Sequence, residues 1–82
     1  MEDIDRGDCV AWYEKNSREE MRASVSEFRG KPYVNLRVFY RDTDGQWKPG
    51  KQGIVVAIDS FRQLADMVLV VGEHLQSTGL LK

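Results

Sequence analysis

The chain has 82 residues, 41% of them hydrophobic and 30% charged, with a net charge of −1. That length allows one small domain, and a single cysteine (Cys9) with a single histidine (His74) excludes a disulfide framework and a paired-thiol zinc site. With no crosslink to enlarge so small a core, self-association as a homodimer is the expected remedy.

The acidic start, MEDIDRGD, is no secretory signal. No apolar run exceeds five residues, far short of a membrane span. A lone thiol suits a reducing compartment, so the expectation is a soluble protein, cytoplasmic (nucleoid-associated) or nuclear, neither secreted nor membrane-bound. The small net charge hides a pattern. Residues 1–27 sum to −4, residues 28–52 to +4 and residues 53–82 to −1. The middle of the chain is a basic band.

Residues 1–9 are acidic, terminal and almost without hydrophobes, and are expected to be disordered, leaving 10–82 as the domain. Val10–Lys15 reads as a short strand. Asn16–Glu20 is a polar break in which Asn16 or Ser17 can cap a helical turn. Met21–Phe28 alternates, with Met21, Ala23 and Val25 on one side and Arg22, Ser24, Ser26 and Phe28 on the other, the period of a half-buried strand. Arg29-Gly30-Lys31-Pro32 is a hairpin turn, Gly30 being free to take a positive φ. Tyr33–Arg41 is dense in β-branched and aromatic residues, with Val34, Leu36 and Val38 sharing a face. After a turn at Asp42–Gly45, a strand near Gln46–Lys48 is interrupted by Pro49-Gly50, and Gly53–Ile58 forms a further apolar strand.

Asp59 is placed to cap a helix, in which Phe61, Leu64, Ala65, Val68, Gly72 and Leu75 recur at helical spacing. The run Val68–Val71 also suits a strand, but its setting between Asp59 and His74 favours helix. Met67, Leu69, Val70 and Val71 form a second apolar group. A helix covering one sheet needs only one stripe, so the surplus points to the same helix of a partner. Ser77-Thr78-Gly79 ends the helix.

No catalytic constellation emerges, and an enzyme is not expected. Gly45 to Lys51 has the spacing of a phosphate-binding loop, but Gln52 stands where a magnesium-holding hydroxyl is required. Asp42-x-Asp44-Gly45 opens like a calcium loop and lacks the later ligands. Neither a metal nor a cofactor is expected. What remains is the basic band with its interleaved rings. Cations on strands track phosphates, and ring faces accept unstacked bases, although a β-rich domain also needs aromatics inside.

The pattern Phe28-Arg29-Gly30-Lys31, Val34-x-Leu36-Arg37, Phe39-Tyr40, Gly45, Lys48-Pro49-Gly50-Lys51 and Gly53-Ile54 resembles the single-stranded-DNA-binding domain of the transcriptional coactivator positive cofactor four family, in its bacterial form. The resemblance runs from about Arg22 to Met67. It implies an α+β fold, with four curved antiparallel strands followed by one C-terminal helix, homodimeric through helices and strand edges. It places nucleic-acid contacts on Phe28, Arg29, Lys31, Arg37, Tyr40, Lys48 and Lys51. Tyr40 stands where the family often has tryptophan, and Gln52 replaces a frequent lysine, removing one phosphate contact. If Arg37 and Tyr40 both touch nucleic acid, strand alternation requires a bulge near Val38–Tyr40. The expected function is sequence-tolerant binding of single-stranded DNA in transcription, replication or repair, with the transcription machinery among the implied partners. The alternatives are an RNA-binding protein and a protein-interaction module that binds no nucleic acid.

Overall fold

The computed structural model describes residues 6–81. Four strands, β1 (Cys9–Asn16), β2 (Glu19–Phe28), β3 (Lys31–Arg41) and β4 (Trp47–Ala57), form an antiparallel sheet in chain order, followed by the helix α1 (Ile58–Ser77). The helix packs on β3 and β4. This is the expected α+β architecture. The polar break at Asn16–Glu20 is a tight turn at Ser17-Arg18, without helix, and β2 begins at Glu19.

The β2–β3 hairpin closes through a two-residue loop, Arg29-Gly30, with φ of 53° and 80°, so Lys31 and Pro32 already belong to β3. Two positive φ values in succession match the right-handed twist of the flanking strands. The β3–β4 turn is built on Asp42, whose Oδ1 accepts the backbone N–H groups of Asp44 and Gln46, each at 2.9 Å.

The expected strand pieces at Gln46–Lys48 and Gly53–Ile58 are one strand. The β3–β4 register runs from Tyr33↔Ala57 to Arg37↔Gly53, shifts, and resumes at Phe39↔Pro49. Gly50, Lys51 and Gln52 therefore stand opposite Val38 alone. β3 pairs with β2 without interruption from Lys31 to Tyr40. The irregularity thus falls opposite the stretch of β3 where it was expected, but β3 itself stays regular and the extra residues lie on β4, so Arg37 and Tyr40 keep to opposite faces. Pro49, lacking an N–H, and the two glycines at 50 and 53 make β4 the strand that yields.

Asp59 is not the helix cap. β4 runs into the helix without a loop, Ala57 occupies the cap position with no side-chain bond, and Asp59 lies in the first turn, where its charge complements the helix N-terminus. At the other end, Gly79 at φ 79° donates to the Gln76 carbonyl at 3.2 Å, ending the helix as Ser77-Thr78-Gly79 suggested.

Burial is sparse. Among the described residues the buried hydrophobics are Val34 and Val38, and α1 has no buried residue. The most buried side chain is polar: Glu20, 1% exposed, with Arg22 at 7% close beside it. Arg6 grips Glu20 through Nε at 2.8 Å and Nη2 at 3.1 Å, and Arg22 Nε donates to the same carboxylate at 2.6 Å. The rings of Trp12 and Phe39 cover the guanidinium groups of Arg6 and Arg22 at 3.5 and 4.2 Å. Of the stretch expected to be disordered, residues 1–5 lie outside the described residues. Arg6 is held in this ion pair, and Cys9 opens β1.

Candidate nucleic-acid interface

The seven candidate residues fall into two groups. Phe28, Arg29 and Lys31 crown the β2–β3 hairpin. Phe28 pairs with Lys31 and is 62% exposed, and the Arg29 guanidinium lies over its ring at 5.2 Å. The loop thus presents a ring face and two cations beyond the end of the sheet. Arg29 holds a left-handed conformation that costs a non-glycine residue about 1–2 kcal/mol.

The second group surrounds the β4 bulge. Tyr40 and Lys48 are direct cross-strand partners and share a face, and the Tyr40 ring is part-exposed. Lys51 sits in the bulge itself, exposed. Arg37 leaves β3 on the face opposite Tyr40, and its Nη1 donates to the Gly50 carbonyl at 2.9 Å. A Cβ on Gly50 would stand 3.7 Å from the Tyr40 ring. Arg37 and Tyr40 therefore meet at Gly50 from opposite sides. The two groups lie toward opposite ends of β3, with about 20 Å of strand from Lys31 to Arg37 and about 30 Å from Lys31 to Tyr40 at ~3.3 Å per residue. Strand alternation sets Phe28, Lys31 and Arg37 on one face and Tyr40 with Lys48 on the other.

Glycine shapes this seam. A Cβ on Gly53 would fall 2.6 Å from the Leu36 carbonyl oxygen, and one on Gly50 would fall 2.8 Å from that of Val38. Both neighbours are backbone, so only glycine allows β4 to lie this close to β3 while the chain bulges.

Lys48 is not free. Its ammonium lies 3.0 Å from Asp42 Oδ2, and this contact raises the lysine above its ordinary value. Asp42 is held below the usual carboxylate range, first by the Gln46 N–H and then by Lys48. A phosphate reaching Lys48 competes with Asp42 for it, a contact between neighbouring turns that sequence reading missed. Another lies at Lys15, whose Nζ on the edge strand β1 reaches Gln52 Oε1 on β4 at 3.4 Å. Two side chains on the outer strands of a four-stranded sheet meet because the sheet curls. Among the described residues no group of three or more His, Cys, Asp or Glu could hold a metal ion, and no helix is long and apolar enough to cross a membrane.

Residues 12–67 match the family described as Transcriptional Coactivator p15 (PC4). A Caenorhabditis elegans protein that carries the name of an RNA polymerase II transcriptional coactivator is 40% identical over 47 residues, 56% of this chain but only 38% of that protein. Among solved structures, the PC4 homolog of Burkholderia pseudomallei K96243 superposes with a TM-score of 0.73 at 28% identity, covering 87% of this chain and 96% of that one. MoSub1, crystallised in complex with DNA, superposes with a TM-score of 0.61 at 26% identity over 84% of each chain. The family match covers the whole sheet apart from the start of β1, and reaches halfway along the helix. With its strand order, its single C-terminal helix and its glycine-made bulge, this chain belongs to the PC4 family.

Proposed function

We propose that this chain binds single-stranded DNA without strong sequence preference, as a homodimer, and acts in transcription or in replication and repair. Phe28, Arg29, Lys31, Arg37, Tyr40, Lys48 and Lys51 supply the contacts. The observation that carries the reading is the grouping of cations beside exposed rings at the hairpin tip and at the bulge. MoSub1, a structural relative, has been crystallised with single-stranded DNA. Phosphates pair with the five cations while Phe28 and Tyr40 stack on bases, each ring worth ~1–3 kcal/mol. Any role at a promoter through the transcription machinery is part of the same proposal, as is the assignment of residues 10–82 to the DNA-binding domain.

The dimer rests on what the single chain leaves uncovered. Met67, Val68, Leu69, Val70 and Val71 are each at least 50% exposed. The radius of gyration is 15.0 Å, against about 12 Å for a compact domain of this length. A second copy of α1 is the partner that covers such a face.

The test is filter binding of fluorescent oligo-dT over a range of salt concentrations. Five phosphate contacts predict a slope of log affinity against log salt of about −3.5. Equal affinity for duplex and single strand, or no salt dependence, overturns the reading. A protein that stays monomeric at micromolar concentration favours an interaction module instead.

A further inference from the structure

We propose that Lys15 is a phosphate-contacting residue of the bulge site, delivering from the edge strand β1 the cation that β4 lacks at Gln52. The inference rests on the single-stranded-DNA reading and adds a residue from outside the basic band.

Lys15 lies 37 positions before Gln52 in the chain, yet its Nζ is 3.4 Å from Gln52 Oε1. The register between β1 and β2 shifts between Glu14 and Asn16, so Lys15 is the unpaired residue of a bulge of its own. Two bulges on opposite edges of one curled sheet thereby face each other. Gln52 is the last residue of the β4 bulge, next to Lys51 and two positions from Gly50, where Arg37 and Tyr40 meet. The Lys15 ammonium thus reaches the β4 bulge at Gln52, and its side chain remains 42% exposed.

Among the described residues, the contacts that hold Lys15 there are weak. The 3.4 Å contact is long for a hydrogen bond. Its carboxylate neighbour, Glu19 Oε1, is 3.8 Å away and already accepts the Asn16 amide at 2.7 Å. Exposed ion pairs of this kind contribute little to stability. A flexible ammonium with weak partners, reaching the residue that follows Lys51 in the bulge, has most to gain from an incoming phosphodiester. The neutral Gln52 amide keeps Lys15 in place without neutralising it. A lysine at position 52 would repel it.

The experiment compares wild type with Lys15→Gln, Lys15→Arg and Lys15→Gln/Gln52→Lys in oligo-dT titrations over salt, with thermal melts of each variant. One phosphate contact is worth about 0.7 in the slope. Lys15→Gln is expected to flatten the slope by that amount with an unchanged melt. Lys15→Arg should keep the wild-type slope, and the double variant should recover it by returning the cation from the opposite edge. A wild-type slope in Lys15→Gln, while wild type binds oligo-dT, overturns this inference and leaves the broader reading standing. Failure of the double variant to recover the slope overturns the placement beside Gln52. No binding by wild type overturns both. If Lys15→Gln proves unfolded, Lys15→Ser decides: folded with a slope flattened by about 0.7, it supports the proposal, and with the wild-type slope it overturns it.

Discussion

Glu20 is a nearly fully buried charge held by two guanidinium groups. Burial alone would favour its neutral form, but the bidentate grip of Arg6, then the bond from Arg22, holds it below the ordinary glutamate range. Its value in the folded chain is therefore below that in the unfolded chain. The stabilisation is complete above the ordinary value near 4.3 and drains away as pH falls through the folded value. Urea midpoints are expected to be flat near neutrality and to drop below about pH 4.5. Glu20→Gln should remove much of that dependence and lower stability by about 3–5 kcal/mol, because two guanidinium groups are left facing no charge. Neither Glu20 nor Arg22 was legible as core. In the sequence they occupy a polar break and the solvent side of an alternating strand, and the rings that cover the cluster, Trp12 on Arg6 and Phe39 and Trp47 on Arg22, come from three other strands. Arg29 shows the opposite trade. Arg29→Gly relieves the left-handed backbone at position 29 and is expected to stabilise the fold by about 1 kcal/mol, read as a higher melting temperature, while flattening the oligo-dT salt slope by about 0.7.

Among the elements, β3 and the β2–β3 hairpin were the most legible. Alternation, β-branching and Gly30 all carry local information, and the turn differs from expectation only in being two residues long. β4 was legible as two fragments, since Pro49-Gly50 reads as a break in any single strand. What joins them is the β3–β4 register, a long-range property. The need for a bulge followed from Arg37 and Tyr40 alternating across β3, whereas its seat on β4 depends on how closely Gly50 and Gly53 approach the neighbouring backbone. Gly53→Ala is accordingly expected to destabilise by about 1–3 kcal/mol, seen as a lower urea midpoint. The cap misassignment has a similar source, because Asp59 has suitable chemistry but the strand passes straight into the helix at Ala57.

For the molecule as a whole, the chain spends its best-buried positions on an ion cluster and leaves its helix uncovered. The proposed dimer would draw stability from association, so the melting temperature should rise with protein concentration over a hundredfold range in calorimetry. A melting temperature independent of concentration would mark a self-sufficient monomer. The surplus of apolar residues on α1 made this exposed face visible in the sequence; a second copy of the helix is the partner proposed for it.

The aromatic rings also divide between the two faces of the sheet. Trp12 and Trp47 lie on the Glu20–Arg22 side of the sheet, each with a guanidinium against its indole, while the ring beside Lys48 is a tyrosine on the reverse side. Indole emission therefore reports on the ion cluster, and its loss on unfolding can be followed without a dye.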